Sequence, residues 1–276
     1  MTVTNGVHDP KASDGTFDAS SELAQALRTG QFFLVYQPTI DLQTNAFAGV
    51  ESLIRWRHPA RGDLGPEQFL AELERTGEIV AVGRWAMQAA CAQGATWHEK
   101  GFRFPVSVNV SVRQFDDTDF AHDVSAALST SSFDPSLLIL EFPFAILADD
   151  EGSVATRLEN LKLQGVRLAI DDLRPSDDAL ATLERFPISV LKLDRHFIAE
   201  LPASKVADSF VQELVQVAKV RKLQIIASGV EDAEQRKQLQ IDEVNIGQGY
   251  LFSQPREAAD IDRFLENFSI FSGKPL

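Results

Sequence analysis

The sequence predicts an α/β fold, an irregular (β/α)8 barrel whose first strand runs antiparallel. Three observations lead there. After Gly101, six short apolar runs alternate with helical segments: FPVSVNV (104–110), LLILEF (137–142), VRLAIDD (166–172), SVLKLD (189–194), LQIIAS (223–228) and EVNIGQ (243–248). Near-continuous apolar runs separated by helices are the pattern of parallel strands covered on the outside. Two earlier strand-like runs, FFLVYQ (32–37) and FAGVESLIR (47–55), are joined by the turn-prone DLQTNA. That link is too short for a crossover helix, so the two runs pair antiparallel. The total of eight closes a barrel.

Taken in order, residues 1–20 are polar, with scattered Gly, Pro, Ser and Asp, and bury too little apolar surface to offset the entropy of ordering. A disordered tail is expected there, and a single barrel domain over 21–276, a length that suits one such domain. Ser20 or Ser21 is placed to cap a short helix, ELAQALRT, which Gly30 closes. From Pro66, PEQFLAELERTG carries proline at a helix start, acids in the first turn and glycine after the end. A longer helix is expected over 82–100, with Trp85, Ala89, Ala92 and Trp97 near one face and the tryptophans read as core. Further helices are expected at about 116–130, 151–164, 178–186, 204–222 and 232–240. The helix over 204–221 carries Val206, Phe210, Leu214, Val217 and Val220 on more than one side, which suits a homodimer contact or an outer barrel helix.

Hydrophobic residues make up 44% of the 276, as in a packed globular protein, and the net charge is -14. That charge argues against general nucleic-acid binding, which needs a basic surface. It leaves room for a small phosphate ligand held by local cations or metal ions. No apolar run approaches the roughly twenty residues that span a bilayer, and the N-terminus lacks a basic region followed by an apolar core. A cytoplasmic protein without membrane anchor is expected. The single cysteine, Cys91, forms no internal disulfide and reads as a core thiol.

In a βα barrel, the loops after the strand C-terminal ends build the site. The polar residues there are Glu51, Asn109, Glu141, Asp171 with Asp172, Lys192 with Asp194, Ser228 and Gln248. These hard oxygen and nitrogen groups, with no Cys or His among them, favour Mg²⁺ or Mn²⁺ over zinc. One such residue alone is most often a cap or turn residue. Several converging from separate strands are costly without a cation to neutralise them. Lys192 and Asp194, two apart, point to one face, where the lysine either orients a water or forms a buried ion pair. Arg55 lies four residues after Glu51 and sets a phosphate-binding fork beside a metal carboxylate, unless it forms a solvent-facing salt bridge. His58 reads as structural.

YQPTIDLQTNAFAGVESLIRWRHP, SVNVSVRQF, LAIDD, LKLDRHFI, ASGVE and GQGYLF, in this order over about residues 30–268, resemble the EAL domains that hydrolyse the bacterial messenger cyclic di-GMP. The resemblance implies an irregular TIM-like barrel, two Mg²⁺ or Mn²⁺ ions, and cleavage of one phosphodiester to linear pGpG. It makes Glu51 the first residue of the signature motif, here ESL rather than Glu-Ala-Leu. It makes Glu51, Asn109, Glu141, Asp171 and Asp172 metal ligands and Lys192 the water-orienting lysine. Arg55 matches the phosphate-binding arginine and Gln248 the glutamine at the last strand end; Asp194 joins them on the ligand side.

Three departures stand out. Where the family has Ala-Glu-Gly-Val-Glu, this chain has ASGVE, so Ser228 replaces a site acid with a shorter, neutral hydroxyl. Where the family has Glu-Ile-Thr-Glu, this chain has EFPF, and Phe144 replaces the glutamate that anchors the loop after the double aspartate. That loop, usually Asp-Asp-Phe-Gly-Thr-Gly, is DDLRPSDD, with Arg174 and Pro175 restricting the backbone over 173–178. The favoured reading is a domain that binds cyclic di-GMP with little or no hydrolysis. The alternatives are an active metal-dependent phosphodiesterase and a module that contacts a protein partner without nucleotide.

Overall fold

The computed structural model describes residues 19–147, 152–174, 185–201 and 203–272. Nine strands among them form one sheet: β1 (Phe32–Asp41), β2 (Phe47–His58), β3 (Gly62–Leu64), β4 (Val106–Asn109), β5 (Leu138–Pro143), β6 (Arg167–Leu173), β7 (Val190–Leu193), β8 (Gln224–Ser228) and β9 (Ile246–Gln248). Their order is β1-β9-β8-β7-β6-β5-β4-β2-β3, and pairing of β1 with β2 closes an eight-stranded barrel, with β3 as an outer arm on β2. β1 is antiparallel to both β2 and β9, while the other barrel pairs are parallel. All eight expected strands are therefore present, with the antiparallel start in place. Only β3 was not foreseen.

Outside the barrel lie α1 (Ala19–Arg28), α2 (Leu70–Thr76), α3 (Ile79–Glu99), α4 (Val112–Asp116), α5 (Phe120–Ser131), α6 (Ser153–Leu163), α7 (Arg195–Ala199), α8 (Lys205–Arg221), α9 (Ala233–Ile241) and α10 (Ala258–Ser272). α1 starts at Ala19, so Ser20 and Ser21 lie inside it rather than capping it. The segment from Pro66 is a 3₁₀ turn, Pro66–Gln68, followed by α2. Gly77 ends α2 at φ 88, a left-handed position where glycine carries no steric cost, and its N–H donates to the Leu73 carbonyl. Of the tail expected over 1–20, residues 1–18 lie outside the described residues, as does 178–184 of the helix expected over 178–186, while Ala19 and Ser20 belong to α1 rather than to a tail.

The buried stripe of α3 runs through Gly83, Met87, Ala90, Cys91, Gly94 and Trp97. This corrects the expected face, since Ala92 is exposed and Trp85 only half-buried. Trp85 packs instead in a separate cluster around Phe32, Trp56 and Phe69. Cys91 is fully buried, and burial pushes its thiol up to about 12. On α8, Phe210, Leu214 and Ala218 are buried while Val206 and Val220 face outward, as in an outer barrel helix. No helix among the described residues is long and apolar enough to cross a membrane.

Candidate functional site

Side chains alternate across a strand with period two, so every second residue points into the barrel. Ile139, Ala169, Val190, Ile226 and Ile246 pack together as an apolar plug inside it. Two residues further along the same five strands come Glu141, Asp171, Lys192, Ser228 and Gln248. The plug is thus the floor of a polar layer at the strand C-terminal ends. Glu51 on β2 and Asn109 on β4 complete that layer; Asn109 is paired with Glu141 in the β4–β5 ladder.

Lys192 stands at its centre. Its Nζ lies 2.5 Å from Glu141 Oε2 and 3.2 Å from both Glu51 Oε2 and Asp171 Oδ2. Lys192 thus sits in a buried ion-pair cluster, one of the two roles expected for it. Asn109 Nδ2 donates to Glu51 Oε1 and Gln248 Nε2 to Glu51 Oε2, each at 2.7 Å. Burial disfavours the Glu51 carboxylate, but the Lys192 charge and these donors outweigh it and hold Glu51 below the usual range. Burial, reinforced by Glu51 and Asp171, pushes Glu141 up to about 8 despite Lys192. For Lys192, burial opposes the charge, yet the three carboxylates hold it protonated well above an ordinary lysine.

The double aspartate divides between two environments. The β6–β7 register slips between Ile170 and Leu173, and Asp172 takes a left-handed φ of 56. This bulge leaves Asp171 in the cluster and Asp172 at the exposed mouth. Burial and the neighbouring Asp171 and Asp194 raise the Asp172 carboxyl above the usual range.

A cleft of about 590 Å³ opens above this layer, and Arg55, Asp172, Asp194, Ser228 and Gln248 all line it. Asp194 is largely committed to structure: Oδ1 accepts the N–H groups of His196 and Phe197, capping α7, and Oδ2 pairs with Arg174 at 3.1 Å. Ser228 sits beside Gln248 in the β8–β9 ladder, its hydroxyl oxygen buried without a hydrogen-bond partner. Phe144 begins a 3₁₀ turn after β5 and packs, partly buried, on the apolar core. Pro175 to Asp178 lie outside the described residues. His58 is elsewhere, with Nε2 2.9 Å from Glu22 Oε1 and Nδ1 accepting the N–H groups of Ala60 and Arg61.

One residue of the layer escaped the sequence reading. Gln37 on β1 pairs with Glu51 across the antiparallel ladder, and its Oε1 accepts from Gln248 Nε2 at 3.0 Å. The available signal was a glutamine inside the apolar run FFLVYQPTI.

Glu51, Glu141 and Asp171 each offer an oxygen within 4.8 Å of the others, a set that fits a hard divalent cation. Glu141 Oε1 is buried without a partner, a free acceptor consistent with that fit. At the position of Ser228 the layer offers a neutral hydroxyl instead of a further carboxylate.

Comparison with known proteins bears on this arrangement. Cyclic di-GMP phosphodiesterase NbdA of Pseudomonas aeruginosa is 34% identical over 256 residues, covering 92% of this chain and 33% of that protein. The bifunctional diguanylate cyclase/cyclic di-GMP phosphodiesterase MucR of the same organism is 36% identical over 241 residues, covering 87% of this chain and 35% of that protein. The chain thus spans about a third of the length of these relatives. Among solved structures, the PaMucR phosphodiesterase in its c-di-GMP complex matches with a TM-score of 0.84 at 35% identity, covering 89% of this chain and 100% of that one. The EAL domain model matches residues 20–255, nearly the whole described chain, and on that match the protein belongs to the EAL domain family.

Proposed function

We propose that this EAL domain binds cyclic di-GMP in the cleft at the barrel mouth and hydrolyses it slowly or not at all. The cleft volume, about 590 Å³, falls within the roughly 300–1,000 Å³ common for small-ligand sites. Arg55 presents a planar fork there that suits a phosphate. A Mg²⁺ or Mn²⁺ ion held by Glu51, Asn109, Glu141 and Asp171 would supply positive charge to the phosphodiester.

The observation that carries the reading is Ser228. Its hydroxyl adds no negative charge for a second cation and accepts no proton from water at neutral pH. In the metal-free cluster Lys192 is held protonated by the acids around it and acts there as a donor. Binding tolerates this loss better than hydrolysis, which depends on groups acting together at one geometry. The second reading, an active phosphodiesterase, is favoured by the convergence of Glu51, Asn109, Glu141 and Asp171 on one layer.

The test is turnover of cyclic di-GMP with Mn²⁺ by wild type and Ser228→Glu, beside calorimetric binding. Wild type is expected to bind with little turnover, Arg55→Ala to bind more weakly, and Ser228→Glu to gain turnover. Fast hydrolysis by wild type, unimproved by Ser228→Glu, would establish the enzyme reading instead.

A further inference from the structure

Arg174 is the first residue beyond β6, and Asp194 is the first beyond β7. Leu173 pairs with Leu193 at the end of that ladder, so the two residues stand opposite each other. The bulge at Asp171 and Asp172 re-aims the chain just before this point. Arg174 consequently reaches across the mouth to Asp194, with Nη2 at 3.1 Å from Oδ2. Its side chain remains 60% exposed, while that of Asp194 is 5% exposed. A guanidinium carries five N–H donors, and the bond to Asp194 Oδ2 uses one.

Three guanidiniums surround the opening: Arg55 from β2, Arg174 after β6 and Arg195 after β7. Lys192 adds no reachable charge, being 2% exposed and bonded to the carboxylates below. The protein's own reachable positive charge at this mouth therefore comes from the arginines. Among these, Arg174 alone is oriented by a buried carboxylate, and that carboxylate is itself fixed by the α7 N–H groups. Such a chain of bonds holds the remaining donors in place before a ligand arrives.

We infer that Arg174 is a phosphate-binding residue of this cleft, with Asp194 as its positioning residue. The guanidinium bonds a phosphate oxygen of cyclic di-GMP and supplies protein-borne positive charge at a mouth where Ser228 adds no negative charge for a further cation. The inference rests on the reading that the cleft takes cyclic di-GMP. It goes beyond that reading by assigning the charge to a residue at a position where the family pattern has glycine.

The experiment is calorimetric titration of the full chain with cyclic di-GMP in EDTA, using wild type, Arg174→Ala and Arg174→Lys. Arg174→Ala is expected to weaken binding about ten- to a hundredfold, the range of a lost charge-assisted hydrogen bond. Arg174→Lys should fall between, since an ammonium keeps the charge and loses the fork. Added NaCl should weaken wild type more than Arg174→Ala, an effect that a purely structural role would not produce. The melting midpoint of ligand-free Arg174→Ala should stay close to wild type, because the pair is largely exposed on the arginine side. Equal affinity of Arg174→Ala and wild type overturns the assignment and leaves the binding reading standing. Wild-type binding that requires Mn²⁺ and vanishes in EDTA overturns the protein-borne charge. A flat wild-type titration with and without Mn²⁺ overturns both.

Discussion

Replacing Lys192 with methionine tests the central cluster directly. The lysine side chain is 3% exposed, and those of Glu141, Glu51 and Asp171 are 1%, 10% and 21% exposed. Removing one partner of a buried ion pair costs about 3–5 kcal/mol, because the remaining charge loses compensation. Here Glu51 and Asp171 lose it together, and Glu141 in part, so the upper end of that range is expected at pH 8 in EDTA. Such a loss is a large part of the roughly 5–15 kcal/mol that holds a typical domain. The pH dependence follows from the sign of the shift. Lys192 is raised above its ordinary 10.5, so its contribution is full below that pH and disappears only as pH climbs through the higher folded value. On the acid side the gap between variant and wild type should narrow, since protonated carboxylates no longer need a counter-charge. Urea unfolding followed by circular dichroism at pH 6 and pH 8 measures both points. Mn²⁺ should stabilise Lys192→Met more than wild type, because only in the variant is the cation not competing with an ammonium. A variant within about 1 kcal/mol of wild type at pH 8 in EDTA would refute the account of the cluster.

Two further outcomes follow from the same geometry. Glu141 is raised from its ordinary 4.5 to about 8, so the metal-free folded state holds a proton there that the unfolded chain releases. Its contribution to stability should fall as pH rises across that interval, and Glu141→Gln should flatten the slope of unfolding free energy between pH 5 and 8 in EDTA. At Gly249 an added Cβ would lie 2.1 Å from the Val230 carbonyl oxygen and 2.4 Å from its nitrogen, both backbone atoms that cannot rotate away. Gly249→Ala should therefore cost more than about 2 kcal/mol in urea unfolding, and a neutral result would mean that the strand end moves freely.

The barrel was legible because its strands obey a period-two rule that the sequence displays openly. Ile139 and Glu141, Val190 and Lys192, or Ile246 and Gln248 read as apolar then polar at the same inward face. β3 was illegible because three residues, Gly62 to Leu64, are too few to show alternation. The face of α3 was misphased because the tryptophans were taken as its markers. Its glycines were the better guide: a Cβ at Gly94 would lie 2.6 Å from the Phe133 ring, and one at Gly83 would lie 2.3 Å from Gln114 Oε1. Asp194 read as a ligand-side acid because it follows a strand, but any acid before a helix start is equally a cap, and α7 was too short to announce itself. Which of the rim acids would touch Lys192 could not be read. Its partners come from β2, β5 and β6, and only barrel closure brings them within 3.2 Å.

Ser228 and Phe144 lie in different surroundings, and the proposed separation of binding from hydrolysis rests on that difference. Ser228 stands inside the polar layer, so its neutrality alters the charge that the layer can present to a cation. Phe144 packs, partly buried, on the apolar core, where its ring offers no acceptor to the segment after β6. The polar bond that the first residue of that segment makes runs instead from Arg174 to Asp194, toward β7 and the start of α7. The bond to Asp194 keeps Arg174 positioned at the mouth, while the layer below holds a serine where the family pattern has a glutamate. On the proposed reading, ligand capture would draw on the groups at the mouth and bond cleavage on the layer below. Variants at Arg55 and Arg174 should accordingly change affinity, and variants at Ser228 should change turnover.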